Sequence, residues 1–209
     1  MGITWVLVYP TPEGKTHNQA LEDLGKQLLA MGFEKDQPYT VECETYFPVF
    51  NLPGPPKIFH VILDSDRPAS CFLVPDKDPL GLSIVAERSF MGFLGKLSKA
   101  YSAKKSTNVE VKGTSYLFHD FTVRPGVLTI MGSVRGIVLE TELRSCPVLI
   151  TAVELMKEFV NTILPTPIDA PPPFLSSRIA AGAIPVSHLD TVLQYFDMFK
   201  SVRNSMIPK

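Results

Sequence analysis

Glu13-Gly14-Lys15-Thr16 sets a lysine and a hydroxyl between an apolar run and a helical pattern, where a loop could cradle nucleotide phosphates. Val61-Ile62-Leu63-Asp64 later gives an apolar stretch ending in an acid of the kind that holds a metal ion beside such phosphates. The pattern is incomplete. A phosphate-binding loop needs a glycine five residues before Gly14, where Tyr9 stands, and Pro10 and Pro12 lack the amide hydrogens that would face phosphate. A degenerate nucleotide-binding protein using Gly14-Lys15-Thr16 and Asp64 is therefore an alternative reading, with loss of binding in Lys15→Ala as its signature.

Other reactive groups are scattered. His17, His60, His119 and His188 form no i, i+4 pair and have no cysteine at ligand spacing, so neither a metal nor another cofactor is expected. His119-Asp120 has acid–base chemistry, but neighbours on a strand point to opposite faces. Gly132-Ser133-Val134-Arg135-Gly136 has the wrong spacing for a nucleophile elbow and reads as a turn. Cys43, Cys71 and Cys146 are odd in number and far apart, as expected of reduced thiols that pack as small apolar groups. No catalytic residue emerges, and the chain is expected not to be an enzyme.

The elements that would hold these groups are predominantly strands. Ile3 to Tyr9 reads as the first. A helix follows, opened by a Thr16/Gln19 capping box, striped by Leu21, Leu24, Leu28 and Met31, and ended by Gly32. Tyr39 to Thr45, Ile58 to Leu63, Ser70 to Val74 and Leu82 to Ala86 are strands joined by short Pro-, Gly- and Asp-rich connections, which favours antiparallel neighbours. A second helix is expected from Ser89 to Ala103, with Phe90, Phe93, Leu94, Leu97 and Tyr101 as its stripe.

Val109 to Ile150 reads as a meander. Arg124-Pro125-Gly126 is expected to be a hairpin turn. Ile137, Leu139, Thr141 and Leu143 alternate with Val138, Glu140, Glu142 and Arg144, as when one sheet face is buried and the other wet. Thr151 and Glu154 are spaced as a capping box for a third helix that Pro165 stops. The reading is α+β: an antiparallel β-barrel of roughly eight or more strands flanked by about four helices. It divides into a body over 1–164, a Pro-rich tether over 165–186, and a C-terminal helix over 187–209, forming one domain overall. That helix is apolar on the side of Phe196, Phe199 and Val202, which are expected to contribute to an interface.

Composition narrows the partners. The 209 residues carry a net charge of −1. Such a chain has no general field to attract nucleic acid, so Lys96, Lys99, Lys104 and Lys105 read as a solvated helix face and direct DNA binding is an alternative only. No apolar run approaches the roughly 20 residues of a membrane span. The mean hydropathy of +0.14 is high and suggests apolar surface covered by a partner, or a large private core.

Over nearly its whole length the chain resembles the Mediator complex subunit 20 family, also described as TATA-binding-protein-related factors. The resemblance is carried by the order and spacing of Met1-Gly2-Ile3-Thr4, Glu13-Gly14-Lys15, Val41-Glu42-Cys43-Glu44-Thr45-Tyr46 and Ser70-Cys71-Phe72. It continues through Gly113-Thr114, Tyr116, Asp120-Phe121, Gly126, Arg135-Gly136, Glu140, Cys146-Pro147, Glu158-Phe159, Tyr195 and Phe199. It implies a non-enzymatic nuclear scaffold of the Mediator head module, relaying signals from activators to RNA polymerase II through protein–protein contacts. It further implies a heterodimer with Mediator subunit 18, a tethering helix of subunit 8, and contacts with other head-module subunits and the polymerase machinery. The family has no catalytic motif, so no functional residues carry over.

Overall fold

The computed structural model describes residues 2–49, 58–77, 79–182 and 185–205. The connection Asn51 to Lys57, expected as a proline-rich loop, lies outside the described residues, as do the tip of the expected tether at 183–184 and the chain end at 206–209.

In chain order the strands are β1 (Ile3–Tyr9), β2 (Glu34–Pro48), β3 (Phe59–Asp64), β4 (Ser70–Pro75), β5 (Ile84–Glu87), β6 (Tyr101–Ala103), β7 (Val109–Phe118), β8 (Phe121–Ile130) and β9 (Ser133–Leu143). The α-helices are α1 (His17–Ala30), α2 (Pro79–Leu82), α3 (Phe90–Lys96), α4 (Leu149–Ile163), α5 (Pro173–Ala180) and α6 (His188–Ser205). The strands form one antiparallel sheet in the order β1-β9-β8-β7-β2-β3-β4-β5, with β6 joined to β2. The α+β class is as expected. The barrel stays open: β1 and β5 end the sheet, and α6 contacts both β1 and β4, near its two ends.

α1 forms as its sequence dictates. Thr16 accepts the Gln19 amide at 3.3 Å and the Gln19 side chain takes the Thr16 amide at 3.0 Å. At the other end Gly32 has φ +92, Phe33 N–H reaches the Leu28 carbonyl and Gly32 N–H the Leu29 carbonyl, a Schellman closure.

Other boundaries differ from expectation. α3 ends at Lys96, not Ala103, and Tyr101–Ala103 pairs with Tyr46–Pro48 as β6. Two glycines in a single short helix weaken it, and the exposed backbone of long β2 offers Tyr101–Ala103 a ladder instead. α4 begins at Leu149 behind Val148; Thr151 is already inside and donates to the Val148 carbonyl, so the expected Thr151/Glu154 box does not form. Within 165–186, Pro173 starts α5, whose Phe174 and Leu175 are buried. Proline at a first helical position is compatible with starting a helix, as Pro173 does.

The largest difference lies in the meander. Arg124-Pro125-Gly126 is no turn but the middle of β8, paired to β9 throughout. The reversal is at His119-Asp120, where His119 adopts φ 50. Pro125 still leaves its mark: the ladder to β7 is interrupted between Gly113↔Gly126 and Tyr116↔Val123 and resumes in the same register. The strands crowd there. A Cβ on Gly113 would lie 2.0 Å from the Pro125 carbonyl oxygen, and one on Gly126 2.4 Å from the Tyr39 hydroxyl. Met131-Gly132 makes the next turn, while Ser133 to Gly136 belong to β9.

Neither face of β9 is wet in its middle. Ile137, Val138, Leu139, Glu140 and Thr141 are all buried. α1 packs on β8 and β9 and α4 on β1 and α1, whereas α6 lies on the Glu140 face. The core runs through both layers, and a second, smaller cluster of Tyr46, Val61, Leu63, Cys71 and Leu94 sits beneath α3.

Candidate functional site

Arg124, brought to mid-strand by the continuous β8, lies under α6 and is only 5% exposed. Its guanidinium donates to Glu140 Oε1 at 3.0 Å and to Asp64 Oδ1 at 3.0 Å, and lies 3.3 Å from Asp66 Oδ2. Glu140 is its neighbour across the β8–β9 ladder, and Asp64 ends β3. Tyr195 of α6 donates to Glu140 Oε2 at 2.6 Å. Tyr39 lies with its ring 4.2 Å from the guanidinium carbon and donates its hydroxyl to the Arg124 carbonyl at 2.9 Å, satisfying an acceptor in the stretch where the β7 ladder is interrupted.

Burial decides the electrostatics. It pushes the Glu140 carboxyl upward against the pull of Arg124, and it pushes the Tyr39 and Tyr195 phenols upward too. Burial opposes the charge on Arg124 as well, but Glu140, Tyr195, Asp64 and Asp66 outweigh it and raise its pKa. A space of about 40 Å³ remains, bordered by Thr4, Arg67, Glu142, His188 and Thr191 among others. Arg124 Nε is buried there without a protein partner, and the space is of a size for one or two ordered waters. The arrangement engages its reactive groups with one another. Its chemical capacity is to hold α6 in one orientation on the sheet.

Two further contacts fix that helix. Gln194 accepts from Val6 N–H at 3.0 Å and donates to the Thr4 carbonyl at 2.9 Å, so its amide occupies the outer edge of β1 as a neighbouring strand would. Toward the C-terminal end, His60 sits against Phe196 with ring centroids 4.9 Å apart, 3.0 Å from Thr45 Oγ1 and 3.6 Å from Asp76. Burial first, and the charge of Arg203 second, lower its pKa to about 4, so it is neutral near pH 7.

The groups singled out in the sequence do not converge. Lys15 pairs with Asp23 at 2.7 Å, Thr16 caps α1, and Asp64 is held by Arg124, so Gly14-Lys15-Thr16 and Asp64 build no common phosphate site. His17 bonds Thr11, and His119 forms a turn with Asp120. Among the described residues no three His, Cys, Asp or Glu side chains are grouped to hold a metal. Cys43, Cys71 and Cys146 are free thiols. Phe196 and Phe199 lie in the chain's own core and Val202 packs against it half-buried.

The sequence places Arg124 in an expected turn and Glu140 on an expected wet strand face, and gives Tyr39, Tyr195 and Gln194 no site role. One signal was present: Arg124 and Glu140 are opposite charges that become cross-strand partners once β8 is continuous through Pro125.

A family model described as the TATA-binding related factor of subunit 20 of the Mediator complex matches residues 1–200. The chain is 32% identical to Mediator of RNA polymerase II transcription subunit 20 of Rattus norvegicus over 97% of this chain and 95% of that protein. It is 31% identical to the Aedes aegypti protein of the same name, over 100% and 97% of the two chains. A chain in the Schizosaccharomyces pombe Mediator head module is similar at a TM-score of 0.38 and 15% identity, over 66% of this chain and 80% of that one.

Proposed function

Because the chain belongs to the Mediator subunit 20 family, we propose that it is a structural and regulatory subunit of the Mediator head module, acting in RNA polymerase II transcription through protein–protein contacts. The match over residues 1–200 carries this reading, since it takes in the whole sheet and α6 through Lys200. The geometry supports it: the ionic centre is engaged internally in positioning a helix, which suits a scaffold.

The finer reading is a non-enzymatic nuclear subunit that pairs with Mediator subunit 18, is held to the head by a helix of subunit 8, and lies within reach of the polymerase machinery. Phe196, Phe199 and Val202 serve an interface here by seating α6, which sets the outer surface that a partner meets. Co-expression with subunit 18 tests this. A stable heterodimer that resists 0.5 M salt, a concentration at which charge steering is screened to within about 4–5 Å, is expected. A chain that stays monomeric beside folded subunit 18 overturns the pairing.

A further inference from the structure

The two ends of the sheet are treated oppositely. At β1 the outward backbone groups of Thr4 and Val6 are bonded by Gln194. β5, Ile84-Val85-Ala86-Glu87, pairs with β4 on one side and, among the described residues, with no strand on the other. Arg88 N–H bonds the Ala69 carbonyl, so Ile84 and Ala86 turn their backbone groups to β4 and Val85 turns its own outward. No proline, lysine or bulge blunts this strand.

Side chains on both faces of that edge are apolar and exposed. Ile84 lies on the α3 side of the sheet, with Leu73 across from it, and Val85 on the α6 side, with Phe72 across from it. Leu80, Leu82, Ile84, Val85 and Phe93 are each at least half exposed, a concentration of apolar surface within fourteen residues. A sheet edge with open backbone groups and apolar side chains above and below fits an added strand.

Charge selects its source. Residues 79–99 hold Arg88, Lys96 and Lys99, all exposed, against the single acid Glu87, in a chain whose net charge is −1. Pairing two copies through β5 would bring two cationic segments together. We propose that β5 is the docking edge for an extended, acidic segment of another protein, with apolar side chains alternating along it, which pairs with β5 and continues the sheet. This rests on the reading of the chain as a subunit of an assembly.

Hydrogen exchange and peptide binding test it on the full chain. In the assembled head module, amide exchange at Val85 is expected to slow at least tenfold relative to the isolated chain. If the module assembles and that rate is unchanged, this inference fails while the assignment to the assembly stands; if no module forms, the assignment itself fails. A ten-residue peptide alternating valine and glutamate is expected to bind the isolated chain at least tenfold more tightly than its valine–lysine counterpart, read by fluorescence anisotropy. Val85→Pro removes the outward N–H while sparing the bonds to β4, and is expected to abolish that preference. The triple exchange Arg88→Glu, Lys96→Glu, Lys99→Glu, made on exposed side chains, is expected to reverse it. Equal binding of both peptides by the wild-type chain, or self-association lost in Val85→Pro, overturns the proposal.

Discussion

Replacing Arg124 with alanine leaves Asp64, Asp66 and Glu140 around a cavity with their shared partner gone. Breaking a buried ion pair from one side costs roughly 3–5 kcal/mol, because the remaining charges stay desolvated. Urea unfolding of Arg124→Ala should show a loss of that order, and Arg124→Met with Glu140→Leu, which removes one of the three orphaned carboxylates but leaves Asp64 and Asp66, should recover only part of it. His60 gives a pH signature of defined sign. Its folded pKa of about 4 lies below the ordinary 6.5, so the unfolded chain takes up the proton first. Its contribution is complete above about pH 6.5 and is lost as pH falls toward 4, on the order of 3 kcal/mol for a ring this buried. Asp76 works against that loss, and Arg203 and Lys200 reinforce it. Unfolding midpoints at pH 7.5 and 4.5 should diverge less in His60→Gln than in the wild type. The sequence places His60 on a strand but hides this behaviour, since Phe196 and Arg203 reach it from more than 130 residues away.

Among the elements, α6 contributes most to closing the structure. Phe199 is fully buried and meets Tyr195 at 5.7 Å between ring centroids. Phe199→Ala should therefore cost about 3–5 kcal/mol in the isolated chain, before any partner is added. Thermal unfolding of the chain alone checks this, and an unchanged midpoint would return Phe199 to a surface role. How far elements were legible depended on how local their causes are. The capping box and terminal glycine of α1 act within a few residues, and α1 formed where they put it. Arg124-Pro125-Gly126 has the composition of a turn, but β9 pairs along its whole length and the Tyr39 hydroxyl takes the Arg124 carbonyl beside Pro125, so β8 runs on. The alternation in β9 correctly marks a strand, yet the burial of Glu140 depends on Arg124 and Tyr195, which no window around β9 contains.

At the scale of the molecule, helices cover both faces of one curled sheet, and the three thiols report on its opening. Cys43 is buried near Arg203, and burial pushes its thiol up to about 11; Cys71 is buried and raised as well, whereas Cys146 is half-buried. Iodoacetamide near pH 8 should label Cys146 in the folded chain, and Cys43 at a rate that follows global unfolding. Rapid labelling of Cys43 in native buffer would show that α6 opens independently of the sheet. Here the sequence was informative about class and family, because strand periodicity and residue order extend along the whole chain. It was silent on the open barrel, since closure depends on whether the first and last strands of the sheet meet.

The amide of Gln194 that completes the edge of β1 also sets a timetable. Val6 and Gln194 are 188 residues apart, and at a synthesis rate of roughly 5–20 residues per second the first strand waits about 10–40 s for that side chain to be made. Throughout that interval an apolar edge is without its native neighbour, and the ribosome-bound chain depends on what shields it. The edge of β1 is thus the last part of the sheet to receive its partner, however early the strand itself is made.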